Sequence, residues 1–584
     1  MADIQDDPEP TRRRSNASKN GAAVEVTQNP PALQEYERLF GVDEDAYEQP
    51  TTTRRELWAY YLYYNGDNGV GPGSYSQALF QWALTKSGFQ PGTNPPEPCT
   101  NTSACVVPWA GGTRAISSVV LIANGLCFVF MTVIFVWLGS AADYGSFGRW
   151  LLLVLTVVCW ALQYGMMAIK RPSQWPAAMG MYVVAYISYG ATLVFYAAVF
   201  PRLARFMPHV RKAREEDLRE GKIDQEEYDA IESLERNHIS NISTAHSNIG
   251  YLLTLVLNLS VLLPLQSDQY SNNLALCLTN SCSSLHPFTW LSSDACLDWV
   301  VLGIWWFIFQ QKRPGPKIPK GSNYATIGFK QIWLAIREVR SLPQTFIYYV
   351  AYFLLADGLN TTGTLVSIIQ NDYISFSFLQ LTYLGITQAV CSIASTFGFW
   401  YIQKYFKFKT KTMFLVTNFF SVFIPFWGML GLWTTRIGYH NRWEFYFYNV
   451  VFGLFQAPYY AYAQTMISEL MPRGYDNMFF ALFGITNRAS SIIGPNVIQA
   501  IINDTNNNWM GFPFLFSICA GATIVIWFVN VEKGREDARR YTEARKVDRV
   551  VAETGFSHDA LVKGQVPPAT ENGDGHAEKG NTSA

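Results

Sequence analysis

Glu56-Leu57-Trp58-Ala59-Tyr60-Tyr61-Leu62-Tyr63-Tyr64-Asn65-Gly66-Asp67-Asn68-Gly69-Val70-Gly71-Pro72-Gly73 opens the first apolar stretch of the chain, which runs on to about Leu84. It sets a carboxylate and two carboxamides at bilayer depth, where polar groups are costly and seldom placed without a role. The signature returns as Ala356-Asp357-Gly358-Leu359-Asn360-Thr361-Thr362-Gly363 inside another apolar run. Setting Asn65 against Asp357 aligns Gly66 with Gly358, Asn68 with Asn360 and Gly71 with Gly363 without a gap. Such a duplication predicts a membrane transporter made of two parallel repeats, with its substrate held between them.

Composition agrees with that class. The 584 residues are 49% hydrophobic and 15% aromatic, and the 15% that are charged collect in a few polar blocks. The stretches between the blocks reach the ~20 apolar residues that a helix needs to cross a bilayer. A net charge of −1 offers no basic surface for nucleic acid. About twelve spans are expected, near 56–84, 115–138, 149–169, 176–200, 246–266, 291–311, 344–369, 379–404, 411–434, 445–468, 479–502 and 511–531. The expected fold is therefore an all-α membrane protein of two six-helix halves embedded in a lipid bilayer. The first half covers 54–311, with a charged loop at 201–245; a linker covers 312–343, and the second half 344–531. Residues 1–53 and the tail after about 545 lack apolar periodicity and are expected to be disordered, and 532–584 is expected to be a cytosolic tail. No cleavable signal peptide precedes the first span, so the spans themselves would direct insertion.

Orientation follows from the basic residues, which mark cytosolic loops. Arg54 and Arg55, the segment Arg202 to Arg236, the segment Lys312 to Arg340, and Lys404 to Lys411 all fall on one side, whereas 267–290, 370–378 and 503–510 hold no Lys or Arg. Both termini are thus expected in the cytosol. The opposite loops hold Cys99, Cys105, Cys277 and Cys282, candidates for disulfides in an oxidising lumen, with three pairings open. Sequons at Asn101 and Asn503 share that side and are candidate glycosylation sites.

The aromatic stretch Glu56 to Asn65, the Ala356-Asp357-Gly358 triplet, Ser468-Glu469-Leu470-Met471-Pro472-Arg473-Gly474, Ile485-Thr486-Asn487-Arg488 and Gly494-Pro495 resemble the autophagy-related protein 22 family, a fungal vacuolar branch of the major facilitator superfamily. The likeness extends over roughly 50–535. It implies a twelve-span carrier in the vacuole membrane that exports leucine and other neutral amino acids to the cytosol during autophagy. A superfamily echo follows the second span, where Gly139, Asp143, Gly148 and Arg149 match the gating loop but most of its following basic run is missing.

Candidate site residues follow from both repeats. Asn65, Asp67, Asn68, Asp357, Asn360 and Thr361 are expected around a central cavity, because an amino-acid zwitterion needs acceptors for its ammonium and donors for its carboxylate. The structural alternative is that these groups only hydrogen-bond neighbouring helices. Gln456, Tyr460 and Gln464, spaced i, i+4, i+8, share one helix face that either lines the pathway or packs as an aromatic interface. Arg488 lies several residues into the eleventh span and calls for an anion: a substrate carboxylate, Glu469 or Asp357. His246 and Asn248 read as interface residues, and Arg211 to Glu235 as a solvated helix.

Two other classes compete. A membrane-embedded hydrolase or lipase is disfavoured because no Gly-x-Ser-x-Gly, His-Glu-x-x-His or Walker motif occurs and the 7 histidines form no ligand cluster. A channel or scramblase is disfavoured by the two-half repeat. No cofactor or metal is called for. Protons are a candidate co-substrate, with Asp67 or Asp357 as carrier, and nothing in the sequence sets an oligomeric state.

Overall fold

The computed structural model describes residues 49–67, 71–72, 75–91, 97–99, 105–109, 111–265, 273, 299–316, 318, 323–337, 339–370, 374, 376, 378–505 and 507–554. The first span is interrupted, as its glycine-rich centre requires, into α1 (Arg54–Asp67) and α2 (Tyr75–Ser87). Then come α3 (Ile116–Ala141), α4 (Phe147–Met166) and α5 (Trp175–Ala197), followed by the short α6 (Phe200–Arg205) and α7 (Pro208–Lys212). α8 (Gln225–Leu265) is a single helix of 41 residues. At 1.5 Å per residue it is about 60 Å long, twice the hydrocarbon thickness, so its first half projects from the membrane. α9 (Trp299–Phe309) ends the first half.

In the linker lies α10 (Tyr324–Arg337). The second half comprises α11 (Pro343–Ile369), α12 (Phe378–Phe406), α13 (Thr410–Leu430), α14 (Arg442–Val451), α15 (Ala457–Leu470), α16 (Asp476–Thr505) and α17 (Gly511–Phe528). α14 and α15 form one span broken by a wide turn at Phe452–Gln456, just before Pro458, whose ring and missing N–H disturb the helical ladder. Five stretches, Ser118–Ala141, Phe147–Met166, Pro172–Arg205, Thr410–Leu430 and Asn508–Phe528, are apolar and long enough on their own to cross a membrane. Others, such as α11 with Asp357, Asn360, Thr361 and Thr362, are long enough but carry polar groups at their centres.

The duplication is visible in the packing. α1 lies against α8 and α9, and α11 lies against their counterparts α16 and α17. The halves touch through α8 with α12 and α3 with α16. Large apolar side chains such as Phe130 and Val133 of α3 and Ile524 and Trp527 of α17 face outward, as a lipid-facing surface should.

Two expectations need correction. The stretch Arg211 to Glu235 is not a wholly solvated helix: Glu232 is buried against Arg205, Arg236 and Arg473, and Glu235 against His209 and His238. The tail after about 545 does not begin disordered: α18 (Val531–Thr554) continues into it, docked by its earlier turns with Ala538 and Tyr541 buried and Arg535 and Arg539 paired to carboxylates. On the far face a two-stranded hairpin, β1 (Val106–Trp109) and β2 (Gly112–Ala115), precedes α3. Cys99 and Cys105 are joined there, whereas Cys277 and Cys282 lie outside the described residues.

Candidate transport cavity

The repeat signature does its work in the helix seams. A Cβ on Gly250 of α8 would stand 1.7 Å from the Asn65 carbonyl oxygen and 3.1 Å from Asn65 Oδ1. In the second half, a Cβ on Gly494 of α16 would meet Thr361 Oγ1 at 2.1 Å and Asp357 Oδ1 at 2.7 Å. The Gly494 N–H donates to Asp357 Oδ1 at 2.9 Å, one turn position before Pro495. Asn65 with Gly250 and Asp357 with Gly494 are thus equivalent contacts, each pinning the first helix of a half to its fifth. Asn65, Asp67, Asp357 and Thr361 are all buried, and none is among the residues lining the two central chambers. Asp357 is satisfied there by the Gly494 N–H, whereas Asn65 Oδ1, Asp67 Oδ1 and Thr361 Oγ1 are buried with no hydrogen-bond partner among the described residues. Asn68 lies outside the described residues.

The chambers are formed by other side chains. A cavity of about 370 Å³ lies between the halves, lined by Tyr64 of α1, Thr244, Ser247, Asn248 and Tyr251 of α8, Gln388 and Ser392 of α12, Tyr460 and Gln464 of α15, and Asn487 and Arg488 of α16. A second chamber of about 500 Å³ shares Tyr251, Gln388, Phe452 and Tyr460 with it. It runs outward along Asn360, Thr364 and Ser367, one face of α11, toward the face away from α18. The expected face of the tenth span is here: Gln456 donates to the Tyr460 hydroxyl at 3.3 Å, and that hydroxyl donates to Asn360 Oδ1 at 3.3 Å. Gln464 lines the inner chamber.

Arg488 reaches the cavity wall with its guanidinium over the Tyr186 ring, 5.8 Å from the centroid, and 3.5 Å from the Tyr186 hydroxyl. Neither protein carboxylate named as its candidate partner meets it. Glu469 pairs with Arg535 at 2.8 Å, and Asp357 is taken by Gly494. Among the described residues no ion pair to Arg488 forms. Asp67, buried at the end of α1, has Tyr63, Tyr64 and Tyr189 within electrostatic reach, and its Oδ1 finds no hydrogen-bond partner among the described residues.

Opposite the second chamber the halves are tied shut. Asp143, in the turn after α3, accepts from the backbone N–H of Asn477 at 2.8 Å and of Met478 at 3.0 Å. These are free donors at the start of α16, where the helix dipole also favours an anion. Arg202 bridges Asp143 at 3.3 Å and Asp476 at 3.0 Å. Burial pushes the Asp143 carboxyl up, to about 7, against the pull of Arg202. Gly139 lets α3 meet Ala481 of α16, where its Cβ would fall 2.5 Å from Ala481 Cβ, and Gly148 passes close to the Ala142 carbonyl. Arg149 does not join this cluster; it donates to the Phe307 carbonyl at 2.9 Å. A second tie joins Ser233 and Arg236 of α8 to Glu469 and the Ser468 carbonyl of α15, and Glu232 to Arg473 at 2.8 Å. Burial raises Glu232, but Arg236, Arg473 and Arg205 outweigh it and hold the carboxyl well below the ordinary range. Arg313 of the linker forks onto the buried Glu56 at 2.6 and 2.7 Å.

Residues 52–539 match the family described as "Vacuole effluxer Atg22 like". The chain belongs to that family. Autophagy-related protein 22 of Gibberella zeae is 24% identical to the Atg22-like chain over 562 residues, 87% of this chain and 84% of the relative. Its namesake in Yarrowia lipolytica is 23% identical over 583 residues, 88% and 94% of the two chains. Among solved structures, the major facilitator superfamily proton:xylose symporter XylE shares the fold at a TM-score of 0.53 and 11% identity, across 84% of this chain and 98% of its own. The Atg22-like chain is therefore a multi-pass membrane transporter of effluxer type and not an enzyme.

Several lining residues escaped the sequence reading. Asn248, taken for an interface residue, lines the inner chamber with Thr244 and Ser247. The spacing Thr244, Asn248, Tyr251 along an otherwise apolar helix was the available signal. Gln388 and Ser392 are likewise i, i+4 on α12. His246 instead stacks on Tyr61 at 5.4 Å. Of the sequons, Asn503 is exposed near the end of α16 and Asn101 lies outside the described residues.

Proposed function

We propose that the Atg22-like chain exports neutral amino acids, leucine among them, from the vacuole lumen to the cytosol by alternating access, with both termini cytosolic. The observation that carries this reading is Arg488: a guanidinium at the wall of a cavity between two halves, with no carboxylate paired to it among the described residues. An amino acid brings the missing carboxylate, and a bidentate Arg–carboxylate pair is the geometry the side chain suits best. The Asn360, Gln388, Gln464 and Ser247 side chains offer oxygens to its ammonium. The ties around Asp143 and Glu469 close the face that carries α18, so the chambers meet the lumen in this conformation. Asp67 is the candidate proton carrier, a carboxylate at bilayer depth beside Tyr64 of the cavity wall.

Purified protein in liposomes tests this. Labelled leucine is expected to move saturably, and Arg488→Gln is expected to cut that flux at least ~100-fold by loss of a charged hydrogen-bond pair worth about 3 kcal/mol. Asp67→Asn is expected to lose stimulation by an acid lumen. Leucine flux that never saturates, or that is normal in Arg488→Gln at matched abundance, would refute the reading.

A further inference from the structure

The two chambers contain an uneven set of charges. Among the described residues that line them, Arg488 is the one charged side chain; the rest of the polar wall is hydroxyl and carboxamide. The nearby carboxylates Asp357 and Asp67 do not line them. Asp357 accepts the Gly494 N–H in the seam between α11 and α16. Asp67 is buried behind Tyr64, and Tyr189 is within electrostatic reach of both Asp67 and Arg488. The wall thus has one fixed positive charge and no fixed negative one facing the ligand.

Those two facts rank ligand groups by need. A carboxylate completes the only ion pair the cavity offers, in a space partly screened from water where charge pairing is strengthened. An ammonium meets only neutral acceptors such as Asn360 Oδ1, Gln388 and Gln464, which give ordinary hydrogen bonds that water also supplies. A ligand lacking the carboxylate but carrying a cation meets Arg488 as a like charge, with nothing to offset its desolvation. Resting on the amino-acid reading above, the geometry points to a charge rule for this cavity: it takes monocarboxylates whether or not they bear an amino group, and it rejects cationic amino acids and amino-acid amides. The α-amino group is a secondary handle. The deaminated analogue of leucine, a branched 2-oxo acid, leaves the occupied cavity neutral and leucine leaves only the charge of its own ammonium beside a paired Arg488, whereas lysine and leucinamide each add a further positive charge to that of Arg488.

Competition against labelled leucine in phosphatidylcholine liposomes tests the rule on the full-length wild-type protein, which needs no variant to fold. Unlabelled 4-methyl-2-oxopentanoate is expected to inhibit within about tenfold of leucine itself, and leucinamide and lysine to be weaker by at least ~tenfold. Arg488→Lys, which keeps the charge, is expected to keep that order; Arg488→Gln is expected to narrow the gap between leucine and leucinamide, read as heat stabilisation by each compound. If leucine moves and leucinamide or lysine competes as well as it does, the charge rule falls while the amino-acid reading stands. Should leucine fail to move while the oxo acid stabilises the protein against heat, the amino-acid reading falls and the charge rule stands. Absence of any effect from all monocarboxylates overturns both.

Discussion

At the scale of single residues, a carboxylate can organise a loop without any cation, and Glu444 at the start of α14 does so. It accepts from the backbone N–H groups of Gly438 at 2.6 Å, Tyr439 at 2.7 Å, His440 at 3.2 Å and Asn441 at 3.0 Å, and from Trp427 Nε1 at 2.9 Å. Those bonds hold Tyr439 at φ 69°, a left-handed conformation that a bulky residue adopts only under constraint. Burial raises the Glu444 carboxyl, but the donors of Tyr439, Asn441 and Trp427 outweigh it and lower it below the ordinary value. A depressed native pKa means that the stabilisation is fully present above the unfolded value of about 4.3 and is lost as pH falls through the lower native one. The loop is on the face away from α18, and at pH 5, above the unfolded value, its anchor stays charged. Glu444→Gln is expected to lower stability by about 2 kcal/mol, through buried N–H groups left with a poorer acceptor. Thermal unfolding at pH 7 and pH 5 should show the same loss at both; a loss that vanished at pH 5 would show that the carboxylate had already been neutralised there. The spacing Asn441-Arg442-Trp443-Glu444 marks it locally as a capping box, which the structure forms, but nothing in the sequence marks its reach to Gly438, Tyr439 and Trp427.

At the scale of helices, the doubled signature was legible as a repeat but not as a seam. Asn65 and Asp357 announce a polar group at bilayer depth, and either cavity water or a neighbouring backbone can satisfy one. For Asp357 the answer is the backbone N–H of Gly494, on another helix far along the chain, whereas Asn65 packs against Gly250 with its Oδ1 left without a hydrogen-bond partner among the described residues. Asn360, three residues after Asp357 and about 60° round the helix from it, lines the chamber instead and accepts from the Tyr460 hydroxyl. The seams predict an order of damage. Gly250→Ala forces a methyl onto the Asn65 backbone carbonyl at 1.7 Å, which moves only if α1 and α8 separate. Gly494→Ala meets chiefly the Thr361 hydroxyl and the Asp357 carboxylate, which can rotate aside. Overpacking commonly costs about 1–3 kcal/mol, so Gly250→Ala should lie at or above the top of that range and Gly494→Ala near its foot. Melting temperatures of the two variants in one detergent compare them directly, and the reverse order would contradict the seam geometry.

At the scale of the whole molecule, the twelve-span architecture was readable because each span must fill its length with apolar residues and each loop sheds charge to one side. The ties that shut one face were not, since they join Asp143 to Asn477, Glu232 to Arg473 and Ser233 to Glu469, pairs that no local spacing connects. α18 adds to them. Its Arg535 pairs with Glu469 of the second half at 2.8 Å, and its Arg539 with Asp229 at the base of α8 in the first half at 2.9 Å, so one helix spans both halves. Glu469 is 2% exposed here, and without Arg535 it keeps the Ser233 and Thr410 hydroxyls but loses its direct cationic partner. Breaking a buried pair from one side costs about 3 kcal/mol or more, and the cost applies only while this face is closed, because opening returns the carboxylate to water. Arg535→Gln should therefore shift the closed-to-open balance toward opening by up to ~100-fold. Spin labels carried by non-natural amino acids at the exposed Arg54 of α1 and Lys404 of α12 report that balance as an inter-label distance. A longer-distance population is expected to grow in Arg535→Gln and to shrink again in the double variant with Glu469→Gln, which removes the stranded charge. If the distance distribution of Arg535→Gln matched the wild type, α18 would be a bystander to the closure; if the double variant stayed open, the ion pair itself, and not the stranded carboxylate, would be what holds the face shut.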